Sequence, residues 1–205
     1  MMSTASRPQP RSEVTRGHLL DAALAEFAAS GFEAASTRAI AARAGVHQPQ
    51  INYHFASKDE LWRAAVDHLF ARLDATLAPA ELLSGRERLE RTIRLFVRFA
   101  ADHPELNRIM MHEATSASER LDWLVDHHVR ERFHTMASMF VTTAHADVDP
   151  LVLYYTFVGA ASLLSANAPE GRRLTGREPT AATVVDAHAN LLIAMMLTPP
   201  PGDLP

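Results

Sequence analysis

"AGVHQPQINYHFASKDEL" occupies residues 44–61. Polar Gln48, Gln50 and Asn52 alternate there with apolar Val46, Ile51 and Phe55. Pro49 fits the first turn of a short helix, where a missing N–H costs little. At about 100° per residue, Ile51 and Phe55 then share an inward face beside Val46. Pro49, Gln50, Asn52 and Tyr53 point away from that face, and Gln48 flanks it near the helix start. The outward face is therefore amide-rich and aromatic rather than charged. Carboxamides carry a donor and an acceptor together, which is the pattern adenine presents in the DNA major groove. Tyr53 and His54 can donate to phosphate. Lys58, at the start of the next helix, would add its charge and that helix's free amides to a phosphate site.

The flanking sequence supplies the rest of such a unit. "VTRGHLLDAALAEFAASGF" has Leu20, Ala23, Leu24 and Phe27 at helical spacing, and Gly31 is a C-cap. In "STRAIAARAG", Ser36 or Thr37 can act as N-cap and Gly45 stops the helix. Two short helices joined by a glycine-containing turn form a helix-turn-helix, whose second helix lies in the major groove. Ser57 and Glu60 then open the following helix as a capping box.

Residues 15–62 resemble the DNA-binding domain of TetR-family transcriptional regulators. The resemblance rests on the apolar first helix, Thr37, Ile40-Ala41, Ala44-Gly45-Val46, Tyr53-His54-Phe55 and Lys58-Asp59-Glu60-Leu61. It implies that Thr37 and Arg38 contact the DNA backbone. Gln48, Pro49, Gln50 and Asn52 would face bases, while Tyr53, His54 and Lys58 hold phosphates. Asn52 stands where the family usually has an aromatic residue, and Gln50 where a small one is commoner, so the operator sequence is this chain's own.

The whole chain is consistent with that reading. It has 205 residues, 47% of them hydrophobic, which suits a globular protein with a sizeable core. The net charge of −4 is uneven. Residues 1–60 are balanced, and the whole excess of acid lies beyond them. Local distribution, rather than the total, governs phosphate binding. Cysteine is absent, which fits a reducing cytoplasm. The N-terminus has no apolar signal-peptide core, and "LVLYYTFVGAASLLSA" is too short and interrupted to span a bilayer. A soluble, cytoplasmic protein with no membrane partner is expected.

The expected fold is all-α: an N-terminal three-helix helix-turn-helix DNA-binding domain, then a C-terminal helical ligand-binding and dimerisation domain. Residues 1–12 read as a disordered arm, 13–73 as the DNA-binding domain with its helix-turn-helix at 36–55, 74–198 as the C-terminal domain and 199–205 as a tail. C-terminal helices are expected at about 86–102, 104–114, 118–146, 149–167 and 180–197, with "NAPEGRRLTGREPT" as a loop before the last. No stretch alternates as a strand would.

By the resemblance, the helices at about 149–167 and 180–197 pair two copies into a homodimer that reads double-stranded operator DNA. The first of them is apolar nearly all round. The last places Val184, Val185, His188, Leu191, Leu192, Met195 and Met196 on one stripe. The resemblance also implies a cavity for a small-molecule effector. Candidate lining residues are Met110, His112, Trp123, His127, Tyr154, Phe157 and Asn167, since Met and aromatic side chains suit an adaptable apolar pocket. Each suits an ordinary core as well.

Enzymatic and metal-binding alternatives find less support. "HEATS" at 112–116 starts like a zinc-protease motif, but Ser116 replaces its second His. His127 and His128 stand among Arg130, Glu131 and Arg132, which reads as a solvated face, and no metal site or cofactor is expected. There is no P-loop, no dinucleotide-binding glycine motif and no cysteine nucleophile. The expected function is a ligand-responsive repressor. The alternative is a helical dimer that binds a metal or small molecule, with constitutive or lost DNA binding.

Overall fold

The computed structural model describes residues 10–143 and 146–198, and among these every regular element is helical. The expected tail at 199–205 and most of the expected N-terminal arm lie outside the described residues. Pro10 to Ser12, assigned to that arm from sequence, instead belong to the first helix, α1 (Pro10–Ala34). The contacts divide the chain into two compact units, Met1–Leu69 and Phe70–Pro205.

In the first unit, α1 is broken at Gly31, whose φ of 73° is open to a residue without Cβ. α2 (Thr37–Ala44) starts at Ser36, whose Oγ accepts from the Ala39 amide at 3.1 Å. Gly45 ends it in the left-handed conformation with φ 68°, the region glycine enters without steric cost. α3 (Gln48–His54) follows, with Pro49 in its first turn and Phe55 as C-cap. α4 (Lys58–Glu81) supplies Lys58–Leu69 to the first unit and its remaining turns to the second. Its cap departs from a standard capping box by one residue. Ser57 Oγ accepts from the Glu60 amide at 3.0 Å, whereas Glu60 Oε2 accepts from Ala56 N at 2.7 Å rather than from Ser57 N. Leu19, Leu24, Phe27, Ile40, Ile51, Leu61 and Trp62 are fully buried and form the core of this unit.

The second unit holds α5 (Gly85–Asp102), α6 (Glu105–Ala114), α7 (Glu119–Leu124), a π-helical turn at Val125–Val129, α8 (Arg130–Thr143), α9 (Pro150–Ala166), α10 (Ala168–Thr175) and α11 (Ala182–Met196). The helix expected at 118–146 is thus interrupted by one wider turn, which rotates the side chains beyond it. The segment expected to be a loop contains α10. Pro169 fixes its first turn, Arg172 and Arg173 lie in its last, and Gly176 closes it at φ 68°. Phe140 and Phe157 pack tilted at 57° with centroids 5.7 Å apart, and Phe96 meets Phe157 at 5.2 Å. Among the described residues, no single helix is long and apolar enough to cross a membrane.

Candidate nucleic-acid interface and internal cavity

α3 has two faces, as its spacing requires. Ile51 and Phe55 are buried, whereas Gln48, Pro49, Gln50, Asn52 and Tyr53 are exposed. Tyr53 is 82% exposed, far more than a phenol ring packed for stability would be. His54 is half-buried, its ring edge-on to Tyr53 at 5.0 Å. Gln48 Nε2 donates to Thr37 Oγ1 at 3.3 Å, tying the start of α3 to the start of α2. Arg38 is exposed one residue further on.

Two residues are used differently from expectation. The Gln50 carboxamide oxygen accepts from the His47 amide at 3.0 Å, so it caps α3 and leaves the NH2 group as its outward donor. Lys58 Nζ donates to the carbonyls of Phe32, Glu33 and Ala35 at 2.9, 3.3 and 3.2 Å. An ammonium has three N–H groups, and here three carbonyls face them, a backbone role that the sequence reading did not include. It closes the C-terminal end of α1, whose carbonyls otherwise lack donors. Sequence reasoning missed Arg16, which is exposed and lies over the Phe55 ring at 5.4 Å, beside the end of α3.

The second unit holds a partly open cavity of about 460 Å³. α4 lines it with Phe70, Leu73, Asp74 and Leu77, a stripe at i, i+3, i+4 and i+7. α6 adds Asn107, Met110, Met111 and Ala114 at the same spacing, and α9 adds Tyr154, Tyr155, Val158, Gly159 and Ser162. The π-helical turn brings His128 into the wall, stacked on Phe70 at 4.4 Å and 10°. Arg132 pairs with Asp74 and lies over the Phe70 ring at 4.8 Å.

Of the expected cavity residues, Met110 and Tyr154 line it. The others do not, for reasons of helical phase. His112 is exposed, off the 107–110–111–114 stripe of α6. Phe157 is on the opposite face of α9 and wholly buried in the core. His127 is exposed, with Nδ1 2.8 Å from the Trp123 carbonyl and its ring stacked on Trp123 at 4.9 Å. Asn167 is exposed at the junction of α9 and α10. Among the described residues, no three His, Asp or Glu side chains converge on a metal position.

Residues 19–65 match the family model described as bacterial regulatory proteins, tetR family. The HTH-type transcriptional repressor Rv3405c of Mycobacterium tuberculosis is 32% identical over 142 residues, 68% of this chain and 71% of that one. The chain belongs to the TetR family of bacterial regulatory proteins. A second TetR-like relative, the HTH-type transcriptional repressor KstR2 of Mycobacterium tuberculosis, is 45% identical over 78 residues. That match spans 34% of this chain and only 39% of KstR2. The crystal structure of AibR in complex with isovaleryl coenzyme A and operator DNA shares the TetR-like fold. Its TM-score is 0.72 at 18% identity, over 90% of this chain and 99% of that one.

Proposed function

We propose that the protein is a sequence-selective, DNA-binding transcriptional regulator that works as a homodimer in the cytoplasm and represses its target until a small molecule enters the cavity. The observation that carries this reading is the surface of α3. Its apolar residues are buried, while Gln48, Pro49, Asn52 and Tyr53 stand exposed. Amide-bearing side chains on an exposed helix of a helix-turn-helix have the donor–acceptor chemistry of base-edge readout. Thr37, Arg38, Tyr53 and His54 would hold the DNA backbone, with Gln50 contributing its remaining amide donors.

A second copy supplies the second reading head. α9 and α11 expose Leu151, Val152, Tyr155, Leu163, Leu191 and Met195. That is more apolar surface than scattered exposure explains, and it suits a two-fold interface. Two heads would then meet half-sites about 34–36 Å apart. AibR was solved with isovaleryl coenzyme A and operator DNA together, which supports assigning the cavity to a small molecule and the α3 surface to DNA in this chain. Ligand and DNA would favour different conformers and so weaken each other reciprocally.

The test is fluorescence anisotropy with DNA from upstream of the protein's own gene and its neighbours, against scrambled DNA of equal composition. Tighter, salt-dependent binding to one genomic fragment, by a protein that sediments as a dimer, is expected. Equal affinity for all fragments would refute sequence reading and leave a helical small-molecule binder.

A further inference from the structure

The cavity is lined mostly by apolar side chains, with charged Asp74, Glu81, Arg88, Glu131 and Arg132 also at its wall, and two uncharged polar groups stand at separate points along α9. Tyr154 lines it with its ring fixed between Phe133 and Tyr155, each at 5.4 Å. Its hydroxyl has no hydrogen-bond partner among the described residues, and burial raises its pKa, so the group is a neutral donor at physiological pH. Two helical turns further along the same face of α9, Asn107 Nδ2 donates to Ser162 Oγ at 2.7 Å. Ser162 Oγ in turn donates to the Val158 carbonyl at 2.7 Å. The Asn107 carboxamide oxygen has no donor among the described residues. Tyr154, Val158 and Ser162 are spaced i, i+4 and i+8, so the two polar points lie about 12 Å apart along the helix at 1.5 Å per residue. Methionines and apolar residues, including Met110, Met136 and Val158, occupy the wall between and around them.

We infer that the effector is an elongated, largely apolar molecule bearing an oxygen at one end, which accepts from the Tyr154 hydroxyl, and a hydroxyl at the other, which donates to the Asn107 carboxamide oxygen. This rests on the cavity being the effector site. The size agrees: an apolar cavity of about 150 Å³ takes one benzene, and this one is about 460 Å³, room for roughly three such rings or an equivalent chain. A buried donor left without a partner is costly, so an oxygen at that position gains where a hydrocarbon end does not.

Equilibrium dialysis of the full chain with biphenyl, para-hydroxybiphenyl and para,para′-dihydroxybiphenyl tests this. Each hydroxyl should tighten binding by about three- to tenfold, the worth of one neutral hydrogen bond. Tyr154→Phe should abolish the gain from one hydroxyl and leave biphenyl binding unchanged, and Asn107→Leu should abolish the gain from the other. Because the Tyr154 hydroxyl has no partner to lose, Tyr154→Phe should also melt at the wild-type temperature. If all three probes bind equally to the wild type, the end-reading is overturned while the cavity reading stands. If Tyr154→Phe weakens biphenyl as much as the diphenol, the same conclusion follows. If biphenyl itself does not bind, both readings fall.

Discussion

The Lys58 ammonium lies 2.9 Å from the Phe32 carbonyl oxygen and 4.4 Å from the centre of the Phe32 ring. One side chain at the start of α4 thus closes the end of α1. Lys58→Met keeps the aliphatic stem and removes the charge. Hydrogen bonds to charged groups contribute about 1.5–3 kcal/mol each when well buried; Lys58 is partly exposed, so a total loss of about 1–3 kcal/mol is expected in urea unfolding. The salt dependence of DNA binding should stay as it is, whereas loss of a phosphate contact would lower the slope by about one. A reduced slope with unchanged stability would restore Lys58 as a phosphate ligand.

Gln50 serves both the fold and the exposed face, and two substitutions separate the roles. Gln50→Glu retains an acceptor for the His47 amide, now held at 3.0 Å by the carboxamide oxygen, but turns a donor-bearing face anionic. Thermal stability should hold while DNA affinity collapses. Gln50→Ala removes the cap and should cost about 0.5–2 kcal/mol of stability. The Asn52 side chain makes no hydrogen bond to the fold among the described residues, so Asn52→Ala should lose about 1–3 kcal/mol of specific binding alone. Unchanged operator affinity in Asn52→Ala would remove that residue from the base-reading set.

The helix-turn-helix was legible because its signals are local. Ser36, Gly45, Pro49 and Ser57 each act within four residues of themselves, through caps and φ preferences that a sequence displays directly. The inward positions of Ile51 and Phe55 needed only helical periodicity. The cavity was less legible because lining depends on phase across several helices. Met110 and His112 are equally plausible by type, yet only Met110 falls on the stripe that faces inward. The π-helical turn shifts that phase by a fraction of a turn, selecting His128 over His127, and no residue in "VDHHV" announces it. α10 was overlooked because charged, glycine-containing "PEGRRLTG" lacks an apolar stripe; its termination by Gly176 was the readable signal. The backbone bonds of Lys58 and Gln50 were illegible for another reason. Their partners are backbone atoms, which a side-chain inventory does not count.

Glu113 is buried on α6, and Arg120 Nε donates to its Oε2 at 3.1 Å. The pair bridges α6 to α7 across the 115–118 turn. Arg120→Met would leave a carboxylate buried without its counter-charge, which costs about 3–5 kcal/mol. Glu113→Gln in the Arg120→Met background should recover much of that loss, since the neutral amide no longer needs a cation. Chemical denaturation of the two single variants and the double variant checks it; additive losses would show that the two side chains do not act as a pair.

Gly171 on α10 has Pro179 against it: a Cβ at this position would come within 2.7 Å of the Pro179 Cγ. The proline ring cannot swing aside as a flexible side chain could. Gly171→Ala should therefore destabilise by about 1–3 kcal/mol through overpacking, although alanine favours helix by roughly 1 kcal/mol. A melting temperature equal to or above the wild type would mean that α10 and the following turn separate readily.

His188 on α11 is half-buried, with the Ala160 carbonyl of α9 nearby. Burial pushes its pKa below the ordinary imidazole value, and the Ala160 carbonyl offsets this only in part. The folded chain therefore takes up this proton at lower pH than the unfolded chain, whose value is near 6.5. Between those two values the unfolded state holds more protons, so stability rises with pH there. The contribution is fully present above the unfolded value and is lost as pH falls through the folded one. Melting curves of wild type and His188→Gln, taken from about pH 7.5 down to about pH 5.5, should diverge, with the wild type losing more. Sedimentation over the same range adds a second readout. His188 lies on the helix that exposes Leu191 and Met195, so if a second copy covers that surface, the acid loss should deepen with dimerisation and weaken on dilution. Parallel melting curves would mean that His188 is as readily protonated in the folded chain as in the unfolded one.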